Sequence, residues 1–188
     1  MPILRRRQGT STRSTATLPL EMREQLSEPA LGAVPLDAEG STWAVATASS
    51  LVVFNGRSGP ETHPWDEVEQ GTWDGQDRVF TLSWTQQDRD DLALKVPAGV
   101  RNGDAYASVD VAPFAKALRQ RVEAAIIHSA VATLPSGATA TASVRRGEDG
   151  ELYSVTRPLI SQVDEAEDRR TLQELENRVR EGVGLPTR

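Results

Sequence analysis

The chain contains no cysteine, only two histidines among 188 residues, few aromatics, and no uninterrupted apolar run long enough to cross a bilayer. Without cysteine, disulfides, thiolate metal sites and thiol nucleophiles are excluded, and the composition suits a reducing cytoplasm, the expected setting. The first residues, MPILRRRQGTSTRSTATLPL, carry arginines but lack the continuous apolar stretch of a secretory signal. The chain therefore reads as soluble and untargeted. Equally absent are GxGxxG, GxxxxGK[ST] and GxSxG, so nothing points to a dinucleotide, a P-loop nucleotide or a nucleophile elbow, and no cofactor is expected.

Charge is present but unevenly placed. Arg5, Arg6, Arg7 and Arg13 precede the first acid, and removing their four positive charges from the net −6 leaves −10 on the remainder. An acidic body repels nucleic acid and anionic lipid, so nucleic acid is not an expected partner. Only the N-terminal arm, residues 1–29, could attract a membrane surface. Its Ser/Thr-rich start has no periodicity and reads as flexible. Leu20 and Leu26 of LPLEMREQLSEP suggest a helical turn or two before Pro29.

From Ala30 the pattern is that of short strands. ALGAVPL, WAVATAS, LVVFN, ETHPW, EVEQGTW, RVFTLSW and LALKVP give seven candidates, separated by turn sequences such as DAEGS, NGRSGP and QQDRDD. In RVFTLSW the apolar Phe80, Leu82 and Trp84 alternate with Thr81 and Ser83, the period-two mark of a half-buried strand. Such spacing predicts a sandwich or barrel. The period then lengthens: in VAPFAKALRQRVEAAII, Phe114, Leu118, Val122 and Ile126 recur every fourth residue behind Pro113, an amphipathic helix able to cover an open barrel end. ATATASVRR and ELYSVTR, joined by GEDG, predict a further hairpin. A C-terminal helical tail, residues 158–188, carries Leu172, Leu175 and Val179 on a narrow stripe and stops at Gly182. That stripe can pack on its own chain, pair with a copy of itself, or engage a partner.

The stretch ETHPWDEVEQGTWDG concentrates five carboxylates, two tryptophans and His63. A metal site or histidine-centred triad needs convergent partners, and His128 lies far away in sequence. The predicted arrangement turns Trp65, Val68 and Trp73 toward the core and leaves Glu67, Glu69 and Asp74 facing water, with His63 at a strand edge. Neither catalytic nor metal-binding residues are assigned. If this stretch has a role, it is an acidic recognition edge.

The order WAVATASSLVVFN, ETHPWDEVEQGTWD, RVFTLSW, DLALKVP and then RQRVEAAII resembles the bacterial PH-like domains, related to the GRAM and pleckstrin-homology barrels. The closest likeness is to an uncharacterised actinobacterial family with an Ala46-Thr47 hairpin, Pro64-Trp65 with Val68, Trp73-Asp74, and Arg119 with Arg121-Val122. The resemblance implies a mainly β (β+α) fold: a seven-stranded split barrel capped by a helix, with an added hairpin and C-terminal helix, the barrel domain spanning residues 30–157. Such barrels usually act as binding modules. A non-catalytic adaptor or regulatory module binding a protein is therefore expected, with Leu172, Leu175, Val179, Glu67, Glu69 and the arginines Arg5, Arg6 and Arg7 as candidate contacts. Two rivals are membrane-surface binding through the arginine arm and a hydrolytic enzyme using carboxylates near His63.

Overall fold

The structure, a computed structural model, describes residues 15–56, 58–102, 105–147 and 149–187. Seven strands follow one another as β1 (Gly32–Pro35), β2 (Thr42–Ala46), β3 (Ser50–Asn55), β4 (Ser58–Pro64), β5 (Val68–Asp74), β6 (Val79–Trp84) and β7 (Leu92–Lys95). They form two antiparallel meanders, β1-β2-β3-β4 and β5-β6-β7. The protein is mainly β, with its strands divided among several antiparallel sheets and a helix at its C-terminal end. No sheet closes into a barrel among the described residues.

Turn chemistry fixes the hairpins. Asp37 accepts hydrogen bonds from the amide and hydroxyl of Ser41 at 2.9 and 2.8 Å, closing the β1–β2 turn. Asp74 likewise takes the amides of Gln76 and Asp77 at the start of the β5–β6 turn. Arg78 ends that turn at a φ of 55°, a conformation uncommon for a residue with a side chain. Its guanidinium compensates by donating to the carbonyls of Val96 and Pro97 at 3.1 and 3.0 Å.

After β7 comes a short hairpin, β8 (Gly99–Asn102) with β9 (Ala105–Ser108), which the sequence pattern did not announce because GVRN and AYAS bury only Val100 and Ala107 and so offer no apolar alternation. The helix α2 (Ala112–Ala125) follows, its first free amide, on Ala112, taken by Asp110 Oδ1. Phe114, Leu118 and Val122 enter the core with Phe80, Leu82, Leu94, Trp65 and Trp84. Two glycines let the helix approach. A Cβ on Gly32 would stand 2.7 Å from the backbone of Phe114, and one on Gly71 would stand 2.9 Å from Leu118 Cδ2. The helix thus lies against β1 of one meander and β5 of the other.

The expected helix ran through Ile127, but α2 ends at Ala125, and Ile126 instead opens a strand. The β-branched pair Ile126-Ile127 and the small-residue alternation after it suit pairing better than a further helical turn. This strand, β10 (Ile126–Thr133), is joined by the anticipated hairpin of β11 (Thr139–Arg146) and β12 (Leu152–Arg157) in a sheet of order β10-β11-β12. The helix α3 (Ala166–Glu181) covers one face. Leu172, Leu175 and Val179 meet Ala140, Ala142 and Val144 there in a second core, separate from the first. His128 accordingly lies on β10, beside Gly182 at the end of α3.

The described part of the N-terminal arm is packed. The amide of Ala16 donates to Ser108 O at 2.9 Å, and Leu18, Met22 and Leu26 cover Trp43, Val45, Val52 and Phe54. The short helix α1 (Leu20–Arg23) lies within this segment. With Ala44, Ala46, Leu51 and Val53 turned to the main core, β2 and β3 are covered on both faces, which accounts for their unbroken apolar runs. Arg5, Arg6 and Arg7 lie outside the described residues.

Candidate functional site at the seam between the two units

Where the β10–β12 sheet meets the first unit, strand alternation breaks. Val144 and Arg145 of β11 are both buried, because α3 covers one face of the sheet and the β4–β5 bend covers the other at this end. Arg145 donates to the main-chain carbonyls of Asp66, Val68 and Glu69 at 3.2, 2.8 and 3.3 Å, while its Nε has no partner among the described residues. Burial lowers its pKa from the usual high value. Alongside it, the Tyr153 hydroxyl donates to Asp66 O at 2.9 Å and Asp66 Oδ2 at 3.0 Å. Burial first, and then the bond to Asp66, push the phenol well above its ordinary pKa. Gln87 Nε2 donates to Thr156 O at 3.1 Å, and Arg157 pairs with Glu69.

A cavity of about 530 Å³ opens along this seam, walled by Asp66, Glu67 and Thr85 from the first unit and by Tyr153, Ser154 and Glu176 from the second. The hydroxyls of Tyr153 and Ser154 are both engaged. Ser154 Oγ donates to Glu176 Oε1 at 2.5 Å and accepts from Arg180 Nη1 at 2.7 Å; Arg180 Nε in turn holds Pro186 O at 2.6 Å. These bonds tie the sheet, α3 and the chain end together, and satisfy polar groups that burial would otherwise leave unpaired.

His63 stands apart from that cavity and is buried, not set on an exposed edge. Arg89 Nη2 lies 2.9 Å from His63 Nδ1 and must be the donor, so Nδ1 accepts and the neutral ring carries its proton on Nε2. Glu61 Oε1 is 3.4 Å from Nε2 without forming a hydrogen bond. Arg89 also pairs with Glu67 at 3.2 Å and lies over the Trp84 ring at 3.5 Å. Burial lowers the histidine pKa; Glu61 opposes this, Arg89 reinforces it, and Glu67 opposes it.

Comparison with family models, with curated proteins and with solved structures finds no match for the chain.

The candidate contacts therefore distribute as follows. Glu67 and Glu69, expected to face water as a recognition edge, are held by Arg89 and Arg157, and this pairing replaces free acids with internal ion pairs. Leu172, Leu175 and Val179 are fully buried in the second core, so the stripe packs on its own chain and is not an exposed docking face. Trp43, Trp65 and Trp84 are buried anchors, whereas Trp73 is partly exposed and rests on Phe80. Among the described residues, no three His, Asp or Glu side chains gather in a way that could hold a metal ion. Arg145, Tyr153, Ser154 and Glu176 escaped the sequence reading, whereas Asp66 was among the carboxylates near His63 weighed for a hydrolytic role. The paired arginines after Val144 were the one available signal, since a half-buried strand should not need two adjacent cations.

Proposed function

We propose that the chain is a non-catalytic, PH-like module working in the cytoplasm and binding a partner protein along an exposed strand edge. The PH-like part of this reading is supported by the four-plus-three meander followed directly in space by a helix lying against both sheets. The non-catalytic part is supported by the engagement of His63, Glu67 and Ser154 in internal contacts.

The observation that carries the binding role is β10. From Ile127 to Thr133 its backbone hydrogen-bonds only to β11 among the described residues, so its other edge offers unpaired amides and carbonyls. The strand is eight residues long and contains no Asp, Glu, Lys or Arg. Ile127 and Val131 are 40% and 66% exposed. Natural edge strands are ordinarily shortened, charged or covered, whereas a long uncharged edge accepts an added strand from a partner.

Affinity capture from the native cytoplasm with the full chain, compared with Ile127→Lys and Val131→Lys, tests this. Both substitutions place a charge on an already exposed side chain and should leave thermal stability nearly unchanged. The reading requires that proteins captured by the wild type be lost from both variants, and that an extended segment of a captured protein bind the purified wild-type chain directly. Equal recovery by all three chains rejects the edge as the binding surface.

A further inference from the structure

On the α2 side of the seam lies a second, smaller cleft of about 250 Å³. It is lined by Trp65, by Arg121 and Ala124 of α2, by Arg146 at the end of β11 and by Ser49 from the β2–β3 turn. Neither guanidinium forms an ion pair among the described residues, although the chain carries a net charge of −6. Arg121 Nε is buried with no hydrogen-bond partner, and Arg146 makes only a long bond, 3.4 Å, to Gly150 O. Asp66 also borders the cleft, but its carboxylate accepts from Tyr153 and pairs with neither arginine.

We propose that this cleft binds a small phosphomonoester, its phosphoryl group held between Arg121 and Arg146. A guanidinium is a rigid fork of donors matched to phosphate oxygens, and two forks from separate elements suit a tetrahedral dianion better than a planar carboxylate. At about 250 Å³ the cleft has room for a short organic group beyond the phosphate. Because Arg121 belongs to the first unit and Arg146 to the second, the bound anion bridges them and strengthens their docking.

The full chain is titrated with inorganic phosphate and with glycerol phosphate at constant ionic strength, followed by tryptophan fluorescence and calorimetry. Saturable binding is expected, weakened about tenfold or more in Arg121→Gln and in Arg146→Gln, as loss of a charge-assisted bond requires. Arg119→Gln, exposed on the same helix, should bind as the wild type does. Should either glutamine variant fail to fold, Arg121→Lys and Arg146→Lys keep the charge but lose the fork, and the same weakening is expected. Sedimentation with phosphatidic acid vesicles separates the sources: capture that depends on both arginines, without binding of glycerol phosphate, assigns the phosphoryl group to a lipid. Absence of saturable binding to soluble phosphate and vesicles alike, or binding unchanged by the Arg121 and Arg146 substitutions, overturns the proposal.

Discussion

The two cores of this protein are built from different materials. The first gathers Trp65, Trp84, Phe80, Phe114 and a ring of leucines and valines between two meanders and α2. The second has no aromatic residue among its buried members, and Ala140 and Ala142 stand where the first has rings. An aromatic side chain buries roughly 150–250 Å², so the first core carries much more apolar burial per element. The second compensates with polar ties: Arg145, Tyr153 and Arg157 hold it to the β4–β5 bend, and Ser154, Glu176 and Arg180 hold its sheet to its helix. Apolar burial thus dominates the first core, and polar ties supplement it in the second.

Truncating each core in turn should expose this inequality most strongly. Phe114→Ala removes a fully buried ring that touches both meanders' core and should cost about 3–5 kcal/mol, and Leu172→Ala about 2–5 kcal/mol. The readouts should differ in kind. All four tryptophans lie in the first unit, so their fluorescence reports chiefly that unit while far-ultraviolet dichroism reports both. Phe114→Ala should shift both signals together; Leu172→Ala should shift dichroism to lower denaturant and leave the tryptophan transition close to wild type.

Arg145→Met should have a smaller effect, about 1–3 kcal/mol, because it keeps bulk while leaving three carbonyls of the bend without their donor. Its mark should be a widened gap between the fluorescence and dichroism transitions, as the second unit loosens before the first unfolds.

The reach of sequence reasoning follows the same division. Strands β2, β3 and β6 were legible because their neighbours enforce a continuous apolar run or a period of two, whereas β4 and β5, largely exposed, were marked mainly by the turns around them. Strand β10 was not legible, because Ile126 falls four residues after Val122 and continues the helical stripe of Phe114, Leu118 and Val122. Only pairing with β11, visible in three dimensions, decides between the two. The seam contacts were hidden for another reason: Arg145 and Tyr153 reach Asp66 across 79 and 87 positions of chain, and no local pattern encodes so distant a partner. The acids of the ETHPWDEVEQGTWDG stretch were recognisable as an unusual concentration, but their arginine partners came from a turn and from the far hairpin.

The smallest effect concerns pH. The folded chain holds His63 neutral with a pKa below the ordinary 6.5, so as pH falls the unfolded chain takes up the proton first. The stability contributed by the neutral ring is fully present above pH 6.5, is lost as pH falls from there through the lowered value, and is level below it. Denaturant titrations between about pH 7.5 and 5.5 should show this decline in the tryptophan signal, and His63→Gln should flatten it. A decline of equal slope in the variant would assign it to other groups.

Amide hydrogen exchange on the isolated full chain reads out the free edge of β10 residue by residue. From Ile127 to Thr133, exchange should alternate, slow where an amide bonds β11 and fast where it faces outward, while β11 from Thr141 to Arg145, paired on both sides, should be slow throughout. Uniform protection of β10 equal to that of β11 would mean that its outer edge is already occupied, and no partner strand could add there.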